Sequence, residues 1–212
     1  FTYHSINDDI APHQRHIVRK LYYLFFFVFS GLWWNWFCNL VLWVSSKPPN
    51  YTAQEYQNAS EFLWSAMYAV IGTWGAWNGW YKSLYIGVQK DSSTRFLCFF
   101  IMFLAHCGFS TVAAIGVPST STVGILTLIT ISTNWKSAQD PYTFQTIISV
   151  VNTILWCIIA LASMVLLAKT HKEYQGRGEA GLQEVRAGAT KAVAAEAAGA
   201  MFPGSHNAGS GG

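Results

Sequence analysis

The stretch of sequence that decides the fold is residues 21–44, LYYLFFFVFSGLWWNWFCNLVLWV, which contains no Asp, Glu, Lys or Arg. As an α-helix, a stretch of this length can cross about 30 Å of hydrocarbon. Three further stretches, at 62–81, 96–117 and 142–168, are also free of these four residue types, and polar segments separate them. We therefore predict an all-α integral membrane protein, an antiparallel bundle of four transmembrane helices.

The composition of the whole chain agrees with this class. The 212 residues are 52% hydrophobic and 11% charged, whereas soluble domains typically carry about 25% charged residues. The net charge of +3 is small, which argues against a nucleic-acid-binding protein. Because the chain begins with Phe1 rather than Met, we expect it to begin inside a longer protein.

Three polar or mixed segments complete the predicted organisation. Residues 1–20 form an N-terminal segment, and residues 169–212 form a polar tail rich in Ala and Gly. Residues 123–135 follow Pro118 and a Ser/Thr cluster, and they are too short and too rich in Thr and Ser for a regular span. We expect this segment to be interfacial or partly re-entrant.

The positions of the basic residues predict the orientation. With four spans, only Lys47 and Lys136 of the 13 Lys and Arg residues fall on one side of the membrane. The positive-inside rule then places both termini in the cytosol. A five-span arrangement is disfavoured because it would move the basic tail outside. The first luminal loop carries two N-glycosylation sequons, which makes Asn50 and Asn58 candidate glycosylation sites.

The predicted spans contain few groups that could perform chemistry. Intramembrane charges mark most pumps and transporters, and here the only titratable group of that kind would be His106, which we interpret as a packed, hydrogen-bonded side chain. Four asparagines are interpreted as interhelical hydrogen-bonding groups: Asn35, Asn39, Asn78 and Asn152. No catalytic constellation and no zinc spacing among the four cysteines is present in the sequence, so we expect no enzyme, no cofactor and no metal site.

Small residues in the second stretch predict close helix packing. Gly72, Gly75 and Gly79 lie in this span, and the last two form a small-xxx-small pair. Such a pair lets two helices approach closely. It indicates either a dimer face or packing within the bundle.

The segment joining the second and third spans combines aromatic and basic residues. Such a segment suits the headgroup layer of a membrane, although an ordinary tight loop anchored by aromatics has the same composition. The residues predicted to bind lipid or partners are Trp80, Tyr81, Lys82, Tyr85, Lys90 and Arg95.

At this segment the chain resembles the secretory carrier-associated membrane proteins. The resemblance rests on Trp80-Tyr81-Lys82 through Tyr85, on Asp91-Ser92-Ser93 with the aromatic run from Phe96, on the entry into Leu21-Tyr22-Tyr23-Leu24, and on Tyr174-Gln175-Gly176-Arg177-Gly178 after the last span. It implies a tetraspan protein with cytosolic termini in secretory vesicles, post-Golgi recycling and endosomal membranes and the plasma membrane. It also implies roles in vesicle trafficking, endocytosis and exocytosis rather than catalysis, with the loop between spans two and three binding phosphoinositides and effectors.

The chain departs from this family in two respects. Several positions that are basic in the family's loop are Ile86, Val88 and Gln89 here, and the family's Asn-Pro-Phe repeats do not occur in the chain. The sequence therefore resembles a divergent member.

The leading hypothesis is a membrane-trafficking protein of secretory and recycling vesicles. Its expected partners are membrane lipids, including anionic phosphoinositides, and trafficking proteins, with no nucleic acid. The alternative is an auxiliary structural subunit of a larger membrane complex, and a homo-oligomer is also left open.

Overall fold

The computed structural model describes residues 5–45, 59–132 and 143–201, with side chains described for the first two ranges, for 143–175 and for Thr190. Every regular element in these ranges is helical, which confirms the predicted all-α class. In chain order the elements are α1 (Ile6–Asp9), α2 (Arg15–Val44), α3 (Ala59–Gly75), a π-helical segment (Ala76–Tyr81), α4 (Lys82–Lys90), α5 (Ser93–Ile115), α6 (Ile125–Ser132) and α7 (Thr143–Met201).

Three of the described helices are long and apolar enough to cross a membrane. They are Arg15–Val44, Ser93–Ile115 and the part of α7 from Thr143 to Gln175. Their outward faces are apolar, as at Leu104 and Leu161, which are 62% and 67% exposed. Apolar surface of this extent needs hydrocarbon around it rather than water. The predicted integral membrane class is confirmed.

The second predicted stretch, 62–81, has a different local structure from the other three. α3 has 17 residues and ends at Gly75, where the backbone continues into the π-helical segment instead of a regular α-helix. The helical backbone also does not stop at Tyr81, because α4 follows without a break. The expected polar loop of residues 82–95 is thus helical as far as Lys90, and only Asp91 and Ser92 separate α4 from α5.

Contacts between aromatic rings show that α2 and the α3–π run are antiparallel. Trp43, near the end of α2, stacks on Phe62, near the start of α3, with ring centroids 5.1 Å apart. Tyr22, near the start of α2, contacts Tyr81 at the end of the π-helical segment, at 5.4 Å. The two ends of α2 therefore meet opposite ends of the run that follows it.

The other two long helices, α5 and α7, pack against the π-helical segment and α2. Trp80 contacts Phe103 of α5 at a centroid distance of 5.1 Å. The indole Nε1 of Trp34 donates to the carbonyl of Ile148 near the start of α7, at 3.4 Å. A Cβ added at Gly31 would lie 2.7 Å from Cδ1 of Ile159, so α2 and α7 approach closely and run in opposite directions.

The chain divides into two units, residues 1–168 and 169–212. In the second unit the backbone of the predicted Ala- and Gly-rich tail is helical as far as Met201. The predicted glycosylation sites Asn50 and Asn58 lie outside the described residues, as do positions 133–135 of the segment predicted to be interfacial or re-entrant.

A non-helical loop between α5 and α6 turns back into the bundle. α5 ends at Ile115 and is capped by Gly116, whose φ of 70° is left-handed, a conformation that costs glycine little. A Cβ at Gly116 would lie 2.3 Å from the backbone N of Gly124, and a Cβ at Gly124 would lie 2.4 Å from the N of Gly116. The two backbones touch, and the loop between them carries Ser121, Thr122 and Val123 into the interior, where each is at most 2% exposed.

Asparagine side chains of α2 form hydrogen bonds with backbone groups of this loop. Asn35 donates through Nδ2 to the carbonyl of Ser121 at 2.9 Å and accepts from the N–H of Val123 at 2.9 Å. Asn39 donates to the same carbonyl of Ser121 at 3.1 Å. The amides thus take the place of a regular backbone partner.

Asn152 brings α7 into the same network. Its Nδ2 donates to the carbonyl of Val123 and to Oδ1 of Asn35 at 3.2 Å. The prediction of interhelical hydrogen bonding is confirmed for Asn35 and Asn152, and the contact with a backbone loop is an addition that the sequence did not indicate. Non-helical backbone at membrane depth is tolerated where protein surrounds and pairs it.

Replacement of Asn35 by Leu tests this network. The variant removes the acceptor of the Val123 N–H and of the Asn152 amide, and a buried donor without a partner costs about 1–3 kcal/mol. We expect a loss of that size in the free energy of unfolding, measured in detergent. Asn78→Leu is the matched control, since the Asn78 amide donates within its own helix to the carbonyl of Trp74 at 3.2 Å. An equal loss in both variants would contradict the proposed role of the network.

Candidate site at the membrane interface

The π-helical segment determines how the aromatic part of the candidate site is placed. The N–H of Lys82 bonds to the carbonyl of Trp77, five residues back, which is the π-helical pattern. Neighbouring side chains then face different helices. Trp80 packs on α5, with its ring 5.3 Å from that of His106, while Tyr81 packs on α2, 6.3 Å from the ring of Phe25.

The aromatic residues of the predicted lipid-binding segment are buried in the protein. Trp80 and Tyr81 are each 2% exposed, and Tyr85 is 7% exposed. Burial of this extent makes these three side chains part of the packing that positions the segment. Of the six predicted residues, the charged ones are exposed or half-buried: Lys82, Lys90 and Arg95.

His106 has hydrogen-bonding partners on two helices. Its Nε2 lies 3.2 Å from Oγ of Ser163 on α7 and 3.3 Å from Oγ of Ser110 on its own helix. Its ring also packs against Trp80 and Phe103. The interpretation of His106 as a packed, hydrogen-bonded side chain is confirmed.

The N-terminal segment is bound to α4 through Tyr85. The Tyr85 hydroxyl donates to Oδ2 of Asp9 and also contacts the carbonyl of Ser5 at 3.4 Å. Asp9 Oδ2 accepts a further bond from the N–H of Ser5 at 3.3 Å. Asp9 is thus half-buried and joins the N-terminal segment to α4.

A sequence signal for this arrangement does exist. Ser5 caps α1, with its side chain accepting from the N–H of Asp8 at 3.4 Å. Ser-x-x-Asp is the pattern of a capping box, and it predicts an ordered helical turn at this point. The tertiary contact of Asp9 with a tyrosine 76 positions away leaves no such local signal.

The charged residues of the site flank the turn between α4 and α5. Lys90, the last residue of α4, and Arg95, in the first turn of α5, are both exposed. Asp91 between them has a left-handed φ of 47°, and Gly87 lets α4 approach α5, since a Cβ there would lie 3.3 Å from Cβ of Arg95. Lys82, the first residue of α4, is half-buried.

The three predicted packing glycines meet different neighbours. A Cβ at Gly72 would lie 3.0 Å from Cδ1 of Leu32 on α2, and one at Gly79 would lie 2.8 Å from Cε of Met102 on α5. Nothing lies within 4 Å of the corresponding position at Gly75. Gly72 and Gly79 therefore allow close packing within the bundle. Gly75 and Gly79 do not form a joint helix contact, because only Gly79 has a close neighbour.

Among the described residues, no group of three or more His, Cys, Asp or Glu side chains could hold a metal ion. The four cysteines are free thiols.

The lipid-exposed apolar helices and the buried polar network define an all-helical integral membrane protein. Within this class the chain belongs to the secretory carrier-associated membrane protein family: the sequence model of the SCAMP family matches residues 1–177. Family membership makes it an integral membrane protein of secretory carriers, supports a role in membrane trafficking and fits a non-enzymatic role.

Several relatives align with most of the chain. Secretory carrier-associated membrane protein 5 of Danio rerio is 26% identical over 81% of this chain and 67% of its own length. The Mus musculus protein of the same name is 25% identical over 83% of this chain and 68% of its own length. A secretory carrier-associated membrane protein of Pisum sativum is 27% identical over 84% of this chain and 57% of its own length. No solved structure matches the chain significantly.

Removal of the Tyr85 hydroxyl should loosen the N-terminal segment. A hydrogen bond to a charged group contributes about 1.5–3 kcal/mol, so Tyr85→Phe should accelerate amide hydrogen exchange in residues 5–10 by roughly tenfold or more. Asp9→Asn, which keeps an acceptor, should have a smaller effect. Tyr23→Phe is the control, because Tyr23 is 58% exposed. Unchanged exchange in Tyr85→Phe would show that the contact does not hold the segment.

Proposed function

We propose that this chain is a four-span protein with cytosolic termini that acts in endocytosis and exocytosis of secretory and recycling carriers. Its α4–α5 turn would dock on anionic lipid, including phosphoinositides, and recruit trafficking proteins. The observation that carries the proposal is the exposure of Lys90 and Arg95 on either side of a two-residue turn. Family membership supports the trafficking role.

Contacts within the protein favour the four-span topology. The hydrogen bond from Tyr85 to Asp9 supports a position of the N-terminal segment and α4 on the same side of the membrane. The antiparallel packing of α2 and α7 favours the same side for residue 168. The α3–π run would supply the fourth crossing, because α3 alone, at 17 residues, rises about 25 Å and the π-helical segment extends it.

The charge of the turn supports docking on anionic lipid. Each Lys or Arg close to a membrane surface contributes about 1 kcal/mol of attraction to anionic lipid. Lys90 and Arg95 supply two such charges, and the exposed Asp91 between them offsets one. The buried aromatics and the Tyr85–Asp9 contact hold the turn in place, so little ordering would be needed when it docks.

Labelling with a membrane-impermeant maleimide tests the topology. In a chain whose own cysteines are replaced, Ser93→Cys should react only after permeabilisation of cells, whereas Ala53→Cys should react in intact cells when the protein is at the plasma membrane. Glycosidase treatment should shift the wild-type band, and Asn50→Gln with Asn58→Gln should abolish the shift. Labelling of Ser93→Cys in intact cells would refute the proposed orientation.

Vesicle docking tests the role of the turn. The full chain is reconstituted in phosphatidylcholine vesicles, and its capture of separate vesicles containing phosphatidylserine or a phosphoinositide is measured. Lys90→Gln and Arg95→Gln should each weaken capture about fivefold at low salt, the factor that corresponds to about 1 kcal/mol. Asp91→Asn is the matched control of opposite sign and should strengthen it.

High salt should shrink all three effects, because the Debye length falls with ionic strength. Neutral acceptor vesicles should show no dependence on any of the three variants. If capture at low salt is the same for wild type and for the Lys90→Gln, Arg95→Gln double variant, docking through the turn is refuted.

A further inference from the structure

A groove lies between α2 and the α3–π run on the membrane-facing side of the bundle. Its volume is about 790 Å³, within the range of ligand pockets in proteins. Aromatic rings form most of its walls, and Ala69, which is 1% exposed, forms part of its floor. The hydroxyl of Thr73 donates to the carbonyl of Ala69 at 2.6 Å. Because its hydrogen is already used in this bond, Thr73 adds little polarity to the wall of the groove.

The groove is open toward lipid. Trp74 and Val70 on one wall are 68% and 61% exposed, and Phe26 on the opposite wall is 47% exposed. An occupant can therefore enter sideways from the bilayer without opening the bundle. None of the described residues that line the groove carries a carboxylate, as an apolar occupant requires.

The length of the groove matches one leaflet of a membrane. Its lining on α2 runs from Tyr22 to Trp33, which is about 16 Å along a helix. The hydrocarbon core is about 30 Å thick, so the groove accommodates the acyl chain of a lipid in a single leaflet. A partner transmembrane helix would need a surface along both leaflets.

One end of the groove carries a positive charge. Lys82 lines that end and forms no ion pair with another residue in the described part of the chain. It follows Tyr81, whose ring contacts that of Tyr22 at 5.4 Å, so this end of the groove lies near the N-terminal part of α2. A lipid whose acyl chain fills the groove would bring its phosphate to this ammonium group.

We propose that the groove binds one anionic phospholipid, with an acyl chain between α2 and the α3–π run and its headgroup against Lys82. The proposal rests on the four-span topology proposed above, which places Lys82 at the cytosolic surface. It differs from docking by the α4–α5 turn, since it concerns a lipid of the protein's own membrane. A sterol would fill the apolar part but leave Lys82 without a partner.

Native mass spectrometry of the full chain provides the test. The protein is purified from an equal mixture of phosphatidylserine and phosphatidylcholine, and the retained lipid is counted. We expect one phosphatidylserine per chain in preference to phosphatidylcholine. Lys82→Gln should lower that preference about fivefold, while Lys20→Gln, which removes an exposed charge of α2 that does not line the groove, should leave it unchanged.

A second pair of variants tests the apolar part. Val70→Trp should fill the groove and reduce cross-linking of a phosphatidylserine with a photoactivatable acyl chain to α2. Val165→Trp is its control, because Val165 is 52% exposed on α7. Val70→Trp should leave vesicle capture by the turn unchanged, so a failure of this proposal is distinguishable from a failure of docking.

Three results would overturn the proposal. They are equal retention of the two lipids by the wild type, an equal effect of Lys82→Gln and Lys20→Gln, and cross-links across the groove to a second copy of the chain or another protein in place of lipid.

Discussion

The loop of residues 116–124 has to satisfy its backbone hydrogen bonds inside a membrane protein, and the bundle is organised around that requirement. Water cannot supply partners at such depth, so the amide of Asn35 bonds to Ser121 and Val123, and Asn152 completes the set from α7. The polar faces of α2 and α7 must therefore point at each other, which fixes the rotation of both helices.

That rotation leaves the opposite side of α2 to aromatic residues. Phe25 and Tyr22 contact the α3–π run, whereas Phe26 and Phe29 are exposed. The same helix thus provides the polar interior and one wall of the lipid-facing groove. In a trafficking protein of the SCAMP family, the result is a bundle whose distinctive surfaces are an aromatic groove and a positively charged turn.

The sequence predicts the apolar helices well because hydropathy alone identifies a stretch such as residues 21–44. It predicts the end of the third span near residue 117 for a similar reason, since Pro118 and the Ser and Thr residues after it disrupt a helical pattern, and α5 ends at Ile115. It does not predict that the loop returns to the interior, because this depends on a contact between Asn35 and Asn152, 117 positions apart. The sequence also does not predict the burial of Trp80, Tyr81 and Tyr85. Aromatic residues flanked by lysine have the same sequence pattern whether they face lipid headgroups or a neighbouring helix.

The π-helical segment also affects how the family can be compared. A π-helical turn holds about one residue more than an α-helical turn, so Ala76–Tyr81 is equivalent to the insertion of a single residue into a helix. A relative with an uninterrupted α-helix at this point would need a gap here to align correctly. At about 25% identity a gap is easily placed several residues too late. Lys82 and Tyr85 would then be compared with the neighbouring position of the relative, and two residues on different faces of a helix would be taken as equivalents.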